Sequence, residues 1–372
     1  MKTTQHTADE LIAMLRLQHV PNIGDILAKK LISHCRNPAA IFEERQRNLL
    51  QIDGIGTHAI KHLFDKEHLE AAENEYNYIV KNDIDCTYFQ DESYPQYLKH
   101  CIDGPILLFQ KGNIDLDNRK IISVVGTRNI TSYGTAFCEQ FISEIAPLNP
   151  IIISGLAYGV DICVQKEAIK QGLQTIGCLA HGLNQIYPKV HRKYEAEILK
   201  NGGFYTEFWS TSNPERENFL KRNRIIAGVS EATVVIESAE KGGSLVTADI
   251  ANSYNRDVFA VPGRTTDKFS IGCNNLIKQQ KAHVLTSAAD LIYLLDWEIE
   301  QKPNKIIQKQ LFIELDDVEQ GIYTYLQNNG KQLLDSIALD CKLPIYKASS
   351  TLLNMEMKGV IRPLPGKLFE AI

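Results

Sequence analysis

The segment ENFLKRNRIIAGVS, residues 217–230, concentrates positive charge immediately before an apolar run. Lys221, Arg222 and Arg224 lie within four positions, and the pattern predicts a helix that begins near Asn218. Cations in the first turns of a helix are disfavoured by the partial positive charge of its N-terminus. We therefore expect these side chains to face an anion, and a phosphate group suits their guanidinium and ammonium donors.

Two glycine-bearing loops carry groups that could contact the same anion. GTRNITSYG, residues 126–134, offers close backbone approach at a glycine, hydroxyl groups and an arginine fork. ESAEKGGSLVTADIA, residues 237–251, contains a Gly-Gly-Ser turn that we expect to open a helix with Ser244 as its N-cap. Backbone amides at such a turn form an anion-binding nest with neighbouring hydroxyls. The candidate phosphate-binding residues are Gly126, Thr127, Arg128, Lys221, Arg222, Lys241, Gly243, Ser244 and Thr247.

Two of these assignments, those of the arginines and of a nearby aromatic residue, have alternatives. Arg222 and Arg224 could form internal ion pairs with Glu207 or Glu237. Phe219, three residues before Arg222, could belong to the core or could be an exposed platform. A base of a bound single strand needs such a platform for stacking.

No pattern typical of a hydrolase or of a nicotinamide-dependent enzyme occurs. His181 stands without a G-x-S-x-G elbow, a partner cysteine motif or an H-E-x-x-H pattern, so we interpret it as a structural loop histidine. The loop at 126–134 is not G-x-G-x-x-G. In a third loop, SGLAYGVD at 154–161, Asp161 is expected to cap the following helix. We therefore predict no catalytic residue, no cofactor and no metal site.

Between residues 83 and 297, short β-branched runs alternate with helix-length segments such as 134–145, 161–171 and 245–254. Strands that are apolar throughout and joined by helices predict a parallel sheet covered on both faces. The predicted fold class is α/β, with a doubly wound, mostly parallel Rossmann-like sheet. Ligands of such sheets bind beyond the carboxyl ends of the strands, where all three loops fall. The predicted strands are IISVVG (121–126), IIIS (151–154), TIGCLA (175–180), FYTEF (204–208), ATVVIES (232–238), DVFAVPG (257–263) and HVLT (283–286).

Residues 1–80 are predicted to form a separate helical domain. VPNIGDILAKKL at 20–31 and IDGIGTHAIKHL at 52–63 repeat one pattern, which is typical of a tandem helix-hairpin-helix. The glycines let backbone amides approach DNA phosphates, and a helix start adds partial positive charge. Asp25 and Asp53 stand close to the two turns, so a helical pack without DNA contact remains an alternative.

After a polar linker at 298–314, residues 315–372 predict three helices and a hairpin around Pro365-Gly366, the outline of a winged helix. From Leu315 onward the sequence contains six lysines and arginines and seven aspartates and glutamates. This balance favours contact with protein over reading a DNA groove.

The chain has 372 residues and a formal net charge of −5, so an anion site has to be local. Its eight cysteines are scattered without a C-x-x-C pair, which favours free thiols in a reducing compartment. The first residues lack the charge and hydropathy pattern of a signal peptide, and no apolar run is long enough for a membrane span. We expect a cytoplasmic protein.

Seven motifs in register give the chain a family resemblance: VVGTRNITSYG, IISGLAYGVD, GLNQIYP, FLKRNRIIAGVS, ESAEKGGSLVTA, RDVFAVPG and SIGCNNLIK. They closely resemble the DprA/Smf family (DNA-processing protein A). The resemblance implies a non-enzymatic single-stranded DNA-binding protein of natural transformation, which protects incoming strands and loads the RecA recombinase. It also implies a homodimer.

The resemblance assigns DNA-binding roles residue by residue. Carried onto this chain, the family's DNA pocket comprises Arg128, Phe219, Lys221, Arg222, Asn223, Gly243, Ser244 and Thr247. The chain departs from the family's common pattern at Tyr158, where an arginine is usual, and at Gln165, where a histidine is frequent. The first departure removes one expected phosphate contact.

The rival interpretation is a nucleotide-binding enzyme of the Rossmann-like phosphoribohydrolase type. Such enzymes share a Gly-Gly-x-Gly-Thr nest. GGSLVT lacks the second Gly-Thr pair, and Asp249 stands where the catalytic glutamate is expected.

Overall fold

This structure is a computed structural model that describes residues 6–297, 315–364 and 368–372. The chain divides into two compact units at residue 299. The predicted helical domain (1–80) and sheet domain (83–297) both lie in the first unit, so the boundary between them stays a prediction. The predicted linker, 298–314, lies outside the described residues.

A nine-stranded sheet dominates the described part of the first unit. Its strands are β1 (Asp85–Tyr88), β2 (Leu107–Gly112), β3 (Ile121–Val125), β4 (Ile151–Ser154), β5 (Thr175–Cys178), β6 (Gly202–Thr206), β7 (Ala232–Val235), β8 (Asp257–Ala260) and β9 (His283–Val284). The spatial order is β1-β2-β6-β5-β4-β3-β7-β8-β9. The strands from β6 to β9 in this order run parallel, whereas β2 pairs with β6 and β1 pairs with β2 in antiparallel fashion. The doubly wound sheet is thus confirmed, and the two antiparallel strands β1 and β2 are additions that the sequence patterns missed.

Helices cover both faces of this sheet. They are α6 (Gln96–Lys99), α7 (Ser132–Ile145), α8 (Val160–Lys170), α9 (Glu195–Lys200), α10 (Arg216–Val229), α11 (Gly243–Ser253), α12 (Ile271–Lys278) and α13 (Ala288–Leu294), with 3₁₀ helices at Ala146–Leu148 and Lys189–Tyr194. Alternate residues of β3 enter different cores. Ile121 and Val125 pack with α10 and α11, whereas Ile122 and Val124 pack with α7 and α8. Both faces of the strand are therefore apolar, which explains the unbroken hydrophobic runs.

The N-terminal helices are α1 (Ala8–His19), α2 (Asp25–Cys35), α3 (Pro38–Glu43), α4 (Gln46–Leu49) and α5 (Lys66–Lys81). Their core continues into Leu107 and Phe109 of β2. The first predicted hairpin is present as a turn between α1 and α2, with Gly24 as N-cap. The second copy, residues 52–63, forms successive turns, so the tandem helix-hairpin-helix is not confirmed. The apolar positions of this repeat do not require an α-helix, because the turns also bury Ile55, Ile60 and Leu63.

The second unit contains α14 (Asp317–Asn329), β10 (Gln332–Leu333), α15 (Leu334–Asp340), α16 (Ile345–Met357), β11 (Ile361–Leu364) and β12 (Leu368–Ala371). The strands form a small antiparallel sheet in the order β10-β12-β11. Three helices and a terminal strand pair match the predicted outline, while the turn at Pro365-Gly366 lies outside the described residues. None of the helices in the described ranges combines the length and the apolar character that crossing a membrane requires.

Candidate functional site

The order of the strands creates a crevice at the carboxyl ends of β3 and β7. From β3 the sheet grows towards β4 in one direction and towards β7 in the other. The loop after β3 and the loop after β7 separate at this switch point, which is the usual ligand position in doubly wound sheets.

A cavity of about 620 Å³ occupies this crevice. Of the eleven residues predicted from the sequence, all except Lys221 and Lys241 line it, namely Gly126, Thr127, Arg128, Phe219, Arg222, Asn223, Gly243, Ser244 and Thr247. The loop after β3, the helix α10 and the start of α11 thus meet at one place, as expected. That these residues contact DNA stays a prediction.

Helix α10 divides the predicted cations between its two sides. It begins at Arg216, two residues earlier than predicted, which places Lys221, Arg222 and Arg224 beyond its first turn. Phe219, Arg222 and Asn223 line the switch-point cavity, as their spacing of three and four residues allows. Lys221 and Arg224 line a second cavity, so the prediction that Lys221 joins the same anion site loses its geometric basis.

Arg222 is buried, with 4% of its surface exposed. Its Nη1 donates to the carbonyl oxygen of Gly155 at 2.7 Å and to that of Cys178. Burial lowers the pKa of the Arg222 guanidinium, and the nearby Asp161 carboxylate opposes this shift. Two carbonyl groups below the cavity thus accept from Nη1 of Arg222, and a phosphate contact by its remaining donors stays a prediction.

Asp161, in the first turn of α8, is buried near Arg222. Its Oδ2 accepts hydrogen bonds from the amides of Gly155 at 3.1 Å and Ala157 at 3.4 Å. Gly159 rather than Asp161 is the N-cap of α8. Burial raises the pKa of this carboxyl, whereas Arg222 and the two amides lower it. Asp161 and Arg222 thus both bond to the loop after β4, and Arg222 also bonds to the end of β5.

The internal-pair alternative is correct for Arg224. Its Nη2 donates to Asp25 Oδ2 at 2.9 Å and also to Glu207. The two carboxylates raise the pKa of Arg224, although burial acts in the opposite direction. Glu237 instead accepts hydrogen bonds from the backbone amide and hydroxyl of Thr131. Arg224 thus joins α2 to the sheet and takes no part in the cavity.

The Gly-Gly-Ser turn forms the start of α11, with Gly242 rather than Ser244 as N-cap. The Ser244 hydroxyl donates to the Ser238 hydroxyl at 2.9 Å, which explains why it does not cap the helix. A Cβ on Gly243 would have no atom within 4 Å, so its backbone is open to an incoming group. The first amides of a helix lack intrahelical partners and carry partial positive charge. Lys241 is exposed beside this turn but does not line the cavity.

Phe219 is half-buried at the wall of the cavity. The Arg128 guanidinium lies 5.3 Å from its ring centroid, and that of Arg222 lies 5.7 Å away. The Tyr187 ring meets it edge to face at 6.0 Å. The ring is therefore neither a core residue nor fully free, and its neighbours hold it in place.

Two exposed cations at the cavity escaped the sequence analysis, Arg216 and Lys268. The sequence could have indicated Arg216, because it precedes Phe219 by three residues and shares its helix face. No local sequence pattern indicates that Lys268 belongs to the site. Its loop reaches the site through hydrogen bonds from the Ser238 amide to Phe269 at 2.7 Å and from the Gly272 amide to Ser238 at 2.9 Å.

Other residues singled out from the sequence lie outside this cavity. His181 is buried, its Nδ1 lies 2.9 Å from the Gly182 carbonyl oxygen, and burial lowers its pKa. Tyr158 is exposed, with its ring edge on His191 at 5.0 Å. Gln165 is buried and donates to the Thr175 hydroxyl at 3.4 Å. These contacts agree with a structural role for His181.

We expect Gly155→Ala to lower the free energy of unfolding by roughly 1–3 kcal/mol, the usual cost of overpacking. A Cβ at this position would lie 2.6 Å from both terminal nitrogens of Arg222, whose Nη1 is held by the carbonyl oxygens of Gly155 and Cys178. Urea denaturation measures the effect. Gly56→Ala is the matched control, because its added Cβ meets nothing within 4 Å. Equal stabilities of the two variants would contradict the tight packing around Arg222.

Comparison with known families gives two matches. The family described as DNA recombination-mediator protein A matches residues 85–296, and the DprA winged helix domain matches residues 310–367. The second match confirms the winged-helix prediction.

Individual relatives extend over most of the chain. DNA processing protein DprA of Streptococcus pneumoniae is 34% identical over 270 residues, which are 73% of this chain and 86% of that protein. The protein of the same name from Bacillus subtilis is 38% identical over 201 residues, 54% of this chain and 67% of its own.

Two solved structures agree with this fold. The Streptococcus pneumoniae DprA structure has a TM-score of 0.66 at 29% identity, covering 78% of this chain and 98% of that one. The Helicobacter pylori DprA structure, described for its single-stranded DNA binding mode, has a TM-score of 0.52 at 28% identity, covering 57% and 95%.

Proposed function

The chain belongs to the DNA recombination-mediator protein A family, and we propose that its switch-point cavity binds single-stranded DNA. On this proposal the chain has a DNA-processing role in recombination. The proposal goes beyond the family assignment because it names the surface of this chain that holds the strand.

Charge at the cavity is the observation that carries the proposal. The charged residues of its lining are Arg128, Asp161, Arg216, Arg222 and Lys268, four cations and one carboxylate. Asp161 is buried beside Arg222, so the exposed charges at the rim are all positive. This local excess stands in a chain whose net charge is −5. A phosphate backbone is the polyanion that such a rim attracts.

The position of Phe219 favours binding of single-stranded DNA over binding of a duplex. Stacking of a base on an aromatic ring requires a base whose face is free, which a duplex does not offer. The cations around the ring would hold the adjacent phosphates, and the open amides at Gly243 supply further donors. Recognition of this kind has little sequence preference, because every base has a face that can stack.

We also propose a more specific cellular role for the chain. The protein protects incoming single strands in the cytoplasm, loads the RecA recombinase onto them during natural transformation, and acts as a homodimer. The winged-helix unit supports contact with protein, because its acidic residues slightly outnumber its basic ones. Co-sedimentation with RecA and light scattering of the purified chain test these two points.

A salt titration of binding tests the strand proposal. A labelled oligonucleotide and a duplex of equal length are each titrated with wild-type protein and with Arg128→Gln. We expect a preference for the single strand, and a plot of log affinity against log salt that is shallower for the variant by about 0.7, one phosphate contact. Lys166→Gln, an exposed cation on α8, is the control. Equal affinity for both DNA forms, or an unchanged slope, would overturn the proposal.

The enzyme alternative has a separate test. Asp249, at the position of the expected catalytic glutamate, is exposed, pairs with Lys281 at 2.8 Å and does not line the cavity. This placement supports a non-enzymatic role. Incubation with nucleoside monophosphates should release no free base, and release would favour a phosphoribohydrolase.

A further inference from the structure

A second group of residues that could bind a ligand lies at the start of α5, distant in sequence from the residues that line the cavity. Ligand atoms of Asp65, Glu67 and His68 all lie within 4.8 Å of one another. Asp65 is the N-cap of α5, yet its side chain makes no capping hydrogen bond. Its Oδ2 lies 2.8 Å from Nδ1 of His62 instead. The two carboxylates are therefore not explained by helix capping alone.

His68 supplies the independent observation. Only 3% of this residue is exposed, and its Nε2 is buried without a hydrogen-bond partner. The same atom lies 3.7 Å from Oε1 of Glu67, too far for a hydrogen bond. A buried ring nitrogen that faces carboxylates without a bond is costly unless a further group sits between them.

His19 limits the protonation state of His68. Their Nδ1 atoms lie 2.9 Å apart, so for two neutral rings one nitrogen donates and the other accepts. When Nδ1 of His68 donates, its Nε2 carries a lone pair directed towards the carboxylates. A ring nitrogen fixed in this way by a hydrogen bond on its other nitrogen is the usual arrangement of a metal-bound histidine.

We propose that Asp65, Glu67 and His68 bind a divalent transition-metal ion of the zinc class. One imidazole and two carboxylates suit such ions better than Mg²⁺ or Ca²⁺, which prefer oxygen ligands alone. Around a tetrahedral ion with bonds of about 2.0–2.2 Å, ligand atoms stand roughly 3.4 Å apart. The 3.7 Å between His68 and Glu67 needs only a small adjustment. Water completes the coordination.

A bound ion would connect three parts of the first unit. Asp65 ends the turn segment that replaces the second predicted hairpin, and Glu67 and His68 begin α5. Through His19 the site reaches α1, and the His19 ring stacks on Trp209 at 4.8 Å, beyond β6. Metal binding would therefore stiffen the attachment of the N-terminal helices to the sheet. The sequence predicts no metal site, because Asp-x-Glu-His at residues 65–68 matches none of the common metal-ligand spacings.

Metal titration of the full chain tests this proposal. Isothermal titration with Zn²⁺ should show one site per chain and a higher thermal midpoint, with no comparable effect of Mg²⁺. Asp65→Asn and Glu67→Gln, both exposed positions that preserve the fold, should each weaken Zn²⁺ binding tenfold or more. Glu70→Gln, an exposed acid on the same helix, should bind as wild type.

Co²⁺ substitution distinguishes this site from the cysteines. The eight free thiols could also capture Zn²⁺, and a cobalt–thiolate complex absorbs strongly in the near ultraviolet. We expect a spectrum of nitrogen and oxygen ligation that Glu67→Gln abolishes. Thiolate absorption, or unchanged binding by both carboxylate variants, would overturn the proposal. Single-strand binding by Arg128→Gln is measured separately, so failure here leaves the proposed function untouched.

Discussion

Replacing Arg222 by methionine should lower the free energy of unfolding by about 3–5 kcal/mol, the usual cost of leaving a buried charge without a nearby opposite charge. The substitution keeps an unbranched apolar stem but removes the positive charge beside the buried Asp161. It also removes the donor to the carbonyl groups of Gly155 and Cys178. Chemical denaturation of both proteins gives the difference directly.

Arg216→Met is the matched control for this prediction, because Arg216 lies on the same helix but is exposed. Its stability should stay within about 0.5 kcal/mol of wild type. If both variants lost the same stability, the burial of Arg222 near Asp161 would not be the cause. Weaker DNA binding by an Arg222 variant does not by itself identify a phosphate contact, since loss of folded protein has the same effect.

The pH dependence of Arg222→Met follows from Asp161. Burial raises the pKa of this carboxyl in the folded chain, and loss of the guanidinium, which lowers it, should raise it further. An acid whose folded pKa is raised takes up its proton in the folded state first, so its full cost to stability is present above the folded pKa and declines to zero as the pH falls to the unfolded pKa. The stability deficit of the variant should therefore shrink as the pH falls from the raised pKa towards about 3.9, the unfolded value. A deficit that grew on acidification would contradict this account.

Phe219→Ala should weaken single-strand binding by about 5- to 150-fold, which corresponds to roughly 1–3 kcal/mol of base stacking. The ring lines the cavity between two guanidinium groups and the Tyr187 ring. Because no charge is removed, the slope of log affinity against log salt should not change. This result would separate stacking from the phosphate contact that Arg128→Gln removes.

Fluorescence anisotropy with a labelled oligonucleotide measures the loss, and Phe64→Ala is the control. Phe64 is an aromatic residue with 38% of its surface exposed, and it does not line the cavity. Unchanged affinity of Phe219→Ala, with the fold intact by circular dichroism, would place Phe219 in a purely structural role.

Much of the sheet and of its site could be predicted from local patterns. β-Branched runs such as Ile121–Val125 predict buried parallel strands, because both faces of such a strand need apolar side chains. Loops that follow these strands then meet at one edge, which places Arg128 and Gly243 in one cavity. The resemblance to the DprA/Smf family is confirmed by the family match over residues 85–296. The antiparallel strands β1 and β2 were missed, since their runs lie beside a helical segment and pair in the antiparallel sense.

The amino-acid sequence alone determined the doubly wound sheet, the winged-helix unit, the family and the convergence of three loops, because hydrophobic periodicity and loop position are local properties. Only the tertiary structure decided what each cation contacts. Arg222, Arg224 and Lys221 are neighbours in the chain, yet a helix turns successive side chains by about 100°. One therefore lies under the cavity, one joins Asp25 to Glu207, and one lines a different cavity. The burial that separates these roles comes from partners distant in sequence, and no spacing within KRNR encodes it.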